Sequence, residues 1–120
     1  MKEAILFETQ RGNIPVQEFL NEPDKHTRAK VSWAINLLEQ QGEYLHRPFV
    51  DHLEGSIKES RVRRASDNIR ILFFFFRQKY VVLVHGFRKK TDAVPARDIQ
   101  KAKGYMNDFM DRVQKGDIQL

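Results

Sequence analysis

The sequence predicts an α+β fold: a small antiparallel sheet with its elements in the order β-α-α-β-β-β-α. Three observations carry that expectation. In the first third of the chain apolar residues recur every three to four positions. After Gly55 the period drops to two, and from Pro95 onward the helical period returns. A length of 120 residues suits one domain spanning 1–120, because two separate cores would each be too small at this size. Nine Phe, three Tyr and one Trp supply the apolar area that a disordered chain lacks.

The elements follow in order. Ala4–Phe7 is a short apolar run with the look of a strand, broken by Gly12-Asn13. Asn13 is placed to cap a short helix that starts near Pro15 and buries Val16, Phe19 and Leu20. Asn21-Glu22-Pro23-Asp24 interrupts, and Asp24 is a cap for the next helix, Lys25 to Gln41. There Val31, Ala34, Ile35 and Leu38 form the apolar stripe, widened by Trp33 and Leu37, and Gly42 stands at the C-cap. Glu43 to Gly55, with Pro48, reads as an irregular connection.

Ile57–Ala65 then alternates, Glu59, Arg61 and Arg63 on one side and Lys58, Ser60, Val62 and Arg64 on the other. Ser66-Asp67-Asn68 is turn chemistry. Ile69–Arg77 and Tyr80–Phe87 are apolar on both sides, as strands of a sheet covered on both faces are, and Arg77-Gln78-Lys79 joins them. The last helix runs from Pro95 to about Lys115 on a stripe of Ile99, Ala102, Met106, Phe109, Met110 and Val113.

Several functions are excluded early. The chain has no cysteine, hence no disulfide, thiolate metal site or cysteine nucleophile. Its longest apolar run, Ile71–Phe76, has six residues where a spanning helix needs about 20, so no membrane partner is expected. The N-terminus carries no signal-peptide stretch, and a cytoplasmic location follows as the expectation. P-loop, GxGxxG, GxSxG and HExxH patterns do not occur, and no cofactor or metal is expected.

Charge is uneven along the chain. Residues 1–57 hold 6 Lys+Arg against 9 Asp+Glu, whereas residues 58–120 hold 15 against 7. A basic half of this kind suits a polyanion. Its sharpest feature is Arg61, Arg63 and Arg64 followed by Arg70. Two-residue spacing puts Arg61 and Arg63 on one face, about 7 Å apart. Arg70 shares its side of the next strand with Leu72, Phe74 and Phe76. A guanidinium in that company either pairs with an acid, Glu59 or Glu54, or opens into a cleft that takes an anion. Arg88-Lys89-Lys90 at the end of the last strand extends the basic patch. Among the histidines, His85 reads as a satisfied structural residue, and His52 is placed to reach the cleft as an acid or base.

The ordered set His52-Leu53-Glu54-Gly55, Glu59-Ser60-Arg61, Arg70-Ile71-Leu72 with following aromatics, Leu83–Thr91 and Pro95–Ile99 resembles the RelE/ParE toxin superfamily. It is most similar to the HigB-type, phage-related branch. The resemblance implies a RelE-like fold and the toxin of a type II toxin–antitoxin pair, a metal-independent endoribonuclease (mRNA interferase) cutting mRNA on the ribosome. In such enzymes the RNA's own 2′-OH attacks the adjacent phosphate, and the protein orients it and stabilises charge. By resemblance Arg70 holds the scissile phosphate, and Arg61 and Arg63 stabilise charge and protonate the leaving group. Lys90 also matches one of the family's basic catalytic positions and, with Lys89, binds neighbouring phosphates, while Arg64 and Arg88 join the RNA surface. Arginine keeps its proton, which leaves the general base unassigned unless His52 serves.

The partners implied are a cognate helix-turn-helix antitoxin, in a hetero-oligomer with the toxin, and mRNA together with ribosomal RNA. Two alternatives stand beside this reading: a ParE-like inhibitor of DNA gyrase that cuts nothing, and a decayed toxin that keeps only antitoxin binding.

Overall fold

One five-stranded sheet organises the chain, in the computed structural model that describes residues 1–91 and 93–120. Its strands are β1 (Glu3–Leu6), β2 (Val50–Glu54), β3 (Ile57–Arg64), β4 (Asp67–Phe76) and β5 (Tyr80–Arg88), in the spatial order β1-β5-β4-β3-β2. All neighbours are antiparallel except β1, which lies parallel to β5. Helices α1 (Pro15–Leu20) and α2 (Lys25–Gln41) cover one face, and α3 (Ala96–Gln114) covers the other. The α+β class stands as expected. Among the described residues, no helix is long and apolar enough to cross a membrane.

The two-sided apolar pattern of the central strands is what both faces require. Ile69, Ile71 and Phe73 of β4 and Val81 and Leu83 of β5 pack under Val31, Ala34 and Leu38 of α2. Leu72 and Phe74, with Val82 and Val84, pack under Ala102 and Phe109 of α3. Trp33 does not widen the buried stripe of α2; it is 51% exposed. Met110 is likewise exposed on α3, and Tyr105 turns inward instead, against Phe7 at 4.9 Å between ring centroids.

Three expectations are corrected. The connection 43–55 contains a 3₁₀ turn, Gly42–Tyr44, and the strand β2, so four strands follow α2 rather than three. Only Val50 of β2 is buried, and an edge strand with one buried side chain carries little alternation to read. The β3–β4 turn is tighter than Ser66–Asn68: Ala65 and Ser66 alone make it, Ala65 at φ 54°, and Asp67 already pairs with Arg64. Ile14, not Asn13, is the N-cap of α1, and its side chain makes no cap bond.

Asp24 caps α2 as expected, its Oδ1 accepting from Thr27 N–H at 2.8 Å. Gly42 ends α2 at φ 51°, where a Cβ would stand 2.6 Å from the Lys2 side chain.

One irregularity matters for function. Between Leu72 and Phe73 the β4–β5 register shifts, so that Leu83 opposes Phe73 while His85 opposes Leu72. The extra residue in β5 reverses the phase of everything after it. His85 and Phe87 therefore face α3, and Gly86 faces α1, where a Cβ would meet Phe19 at 2.7 Å.

Candidate phosphate-binding site

Strand alternation and register set three rows of side chains on the α3 face. The first is Glu59, Leu72 and His85; the second Arg61, Arg70 and Phe87; the third Arg63 and Asn68. Lys89 continues the third row, its main-chain N–H donating to Asn68 O at 2.7 Å. The basic residues expected on separate strands thus meet on one surface.

Within that surface the arginines differ. Arg70 is 3% exposed. Its Nε donates to Glu59 Oε1 at 3.3 Å, and its Nη1 donates to Asn68 Oδ1 and to Ile69 O. Burial pulls this guanidinium's pKa below its ordinary value, opposed by the Glu59 carboxylate and helped by the like charge of Arg61. It remains charged, because an arginine starts so far above neutrality. Of the two partners considered for it, Glu59 is the one it takes; Glu54 instead receives Lys103 Nζ from α3 at 2.8 Å. Arg70 thus takes the acid-paired alternative, largely enclosed and with its Nε and Nη1 engaged by Glu59, Asn68 and Ile69.

Arg61 shares the same carboxylate oxygen, Nε to Glu59 Oε1 at 3.6 Å, but is a third exposed. Arg63 is exposed. Among the described residues, Glu59 is the one carboxylate within ion-pair distance of any of these three guanidiniums. The cluster keeps a surplus of positive charge facing solvent through Arg61 and Arg63.

Three other expected site residues lie elsewhere. His52 pairs with Lys58, whose side chain points to the α2 face, and its Nε2 contacts Gly55 O at 2.7 Å. An imidazole on the opposite side of the sheet does not reach the arginines. Arg64 also points to the α2 face, 3.7 Å from Asp24. Arg88 is held there by Asp67 at 3.2 Å and Glu22 at 3.8 Å. Alternation forces both outcomes, since Arg64 follows Arg63 and Arg88 follows Phe87. Lys90 is exposed just past β5.

His85 is satisfied, as expected, its Nε2 2.7 Å from Asp98 Oδ1 in the first turn of α3. The pair ties α3 to the sheet beside the Glu59 row. Among the described residues, no three histidine or carboxylate side chains cluster closely enough to hold a metal ion.

The arginine face opens into a cavity of about 370 Å³. Arg61, Arg63 and Arg70 line it, and so do Trp33 and Leu37 of α2 and Pro48 and Phe49 before β2. Ser60 and Val62, which point to the α2 face, also line it. The cavity therefore passes round the edge of β3 beyond Val50, where β2 begins. Sequence reasoning missed Trp33 and Phe49 as site residues; the one available signal was a tryptophan at the margin of an amphipathic stripe.

Fold and site together define a small RelE-like α+β protein with an arginine cluster on one sheet face. Residues 18–107 match the family described as Phage derived protein Gp49-like (DUF891), and the chain belongs to that family, a toxin-like one. No curated protein matches the chain.

Proposed function

We propose that this protein is the toxin of a type II toxin–antitoxin pair, of the HigB-type branch, and that it cleaves mRNA on the ribosome without a metal. The carrying observation is the cluster at Glu59, in which one carboxylate stands against three guanidiniums and Arg61 and Arg63 remain accessible. The chemistry asks for little more. The RNA 2′-oxygen attacks the neighbouring phosphorus and passes its proton to solvent water. The bond from phosphorus to the 5′-oxygen breaks, and that oxygen takes a proton from water, leaving a 2′,3′-cyclic phosphate. Between these events the phosphorus carries extra negative charge, which fixed guanidiniums stabilise in place of water. Planar forks also orient the phosphate for in-line attack.

Arg61 and Arg63 bind the phosphate in this reading, Arg70 and Glu59 hold them in register, and Lys89 and Lys90 lie beside flanking phosphates. A helix-turn-helix antitoxin would neutralise the toxin in a hetero-oligomer in the cytoplasm.

The test is cleavage of mRNA in a purified translation system, with and without ribosomes. Ribosome-dependent cuts that vanish in Arg61→Ala/Arg63→Ala, at unchanged melting temperature, are expected. Intact mRNA together with inhibited gyrase supercoiling would overturn the reading in favour of a ParE-like inhibitor. Intact mRNA and no toxicity would leave only antitoxin binding.

A further inference from the structure

We propose that the cavity beside the start of β2 is a nucleobase pocket, in which the rings of Trp33 and Phe49 stack an unpaired RNA base whose phosphate lies on Arg61 and Arg63. The inference rests on the RNA reading above and adds to it a place where the base itself is held.

The two rings form an edge-on pair, centroids 6.2 Å apart at 66°. They are 51% and 43% exposed, although each brings a large apolar area that folding ordinarily removes from water. Met1 and Leu120, also exposed and apolar, stand at the chain ends, whereas these two share a cavity. Its volume falls at the lower end of the range of small-molecule sites, about 300–1,000 Å³.

Charge selects the occupant. An apolar helix laid in this cavity would have to cover Arg61 and Arg63 with groups that cannot pair them. A nucleotide presents both chemistries side by side: a flat π-face for the rings and an anion for the guanidiniums. Proteins that hold single-stranded RNA use this combination of aromatic stacking and a basic groove.

Trp33 is the chain's single tryptophan, so its fluorescence reports on the pocket alone. The purified chain is titrated with a fluorescein-labelled RNA hexamer and, separately, with an abasic ribose-phosphate oligomer of equal length. Anisotropy reads binding, and tryptophan emission reads stacking. The hexamer should quench Trp33 as it binds, and the abasic oligomer should bind without quenching.

Trp33→Leu should weaken hexamer binding roughly fivefold to hundredfold, the range for one unstacked base. Phe49→Leu should weaken it in the same direction, and both variants should bind the abasic oligomer as before. Hexamer binding that leaves Trp33 emission and the Trp33→Leu affinity unchanged would overturn the pocket while leaving the arginine reading intact. Emission that answers only to an added partner protein would overturn it in favour of a protein-docking surface. Binding of both oligomers indifferent to Arg61→Ala would overturn the phosphate grip on which the pocket and the arginine reading alike depend.

Discussion

Glu59 and Arg70 are joined across adjacent strands, Oε1 to Nε at 3.3 Å, and both are at most 4% exposed at the side chain. An ion pair taken out of water to that extent costs desolvation on both sides, and here Glu59 Oε1 carries both guanidinium contacts while Oε2 is buried without a hydrogen-bond partner. Glu59 Oε1 also faces Arg61, so the buried pair fixes the carboxylate that positions the accessible guanidinium.

Removing one partner of that pair should therefore cost stability before it costs chemistry. Arg70→Ala is expected to destabilise the fold by about 3–5 kcal/mol, leaving Glu59 charged and buried. The double replacement Glu59→Met/Arg70→Met should recover most of that loss, since no lone charge remains. Thermal melts of the three proteins read the difference; equal melting of Arg70→Ala and wild type would refute the structural role.

Arg61 and Arg63 should behave oppositely. Arg61→Ala removes a partly exposed ion pair, of a kind ordinarily worth about 0–1 kcal/mol, so melting should hardly move. Binding to single-stranded RNA should weaken, and the plot of log K against log salt should flatten by about 0.7 for each phosphate no longer neutralised. Affinity measured from 50 to 300 mM salt, roughly the range over which such slopes are ordinarily read, checks both statements.

His52→Ala should leave RNA cleavage and stability unchanged. The ring is exposed on the α2 face, with the sheet between it and the arginines, and surface changes of this kind ordinarily stay within about 0.5 kcal/mol. A cleavage rate that fell tenfold or more would show that the imidazole reaches the site.

Asp24 makes the stability pH-dependent. The Thr27 main-chain N–H, ahead of the Arg64 charge, holds its carboxyl below the ordinary aspartate value. A group whose folded pKa is depressed stabilises fully above its unfolded pKa, about 3.9, and loses that contribution as pH falls through the folded value. Asp24→Ala should therefore melt below wild type at pH 7, with the gap closing in acid. A gap that stayed constant down to pH 2, about two units beneath the unfolded value, would rule out the cap as its source.

Much of this was legible in the chain. Alternation in Ile57–Arg64 put Glu59, Arg61 and Arg63 on one face, and the structure keeps them there. The helix stripes and the Asp24 and Gly42 caps were equally readable, because periodicity and capping are local properties. β2 was not, since its residues contribute a single buried side chain and its strand character comes from pairing with β3.

Sequence alone determined the class of fold, the two-faced core and the basic strand, for those follow from periods of 3.6 and 2 and from composition. Tertiary structure decided which cations are available. The extra residue of β5 turned His85 toward α3, pairing with distant acids withdrew Arg64 and Arg88, and Arg70 took Glu59 of the two acids open to it. Whether a charge meets a partner depends on which strands and helices become neighbours, and residues far apart along the chain carry no local record of that.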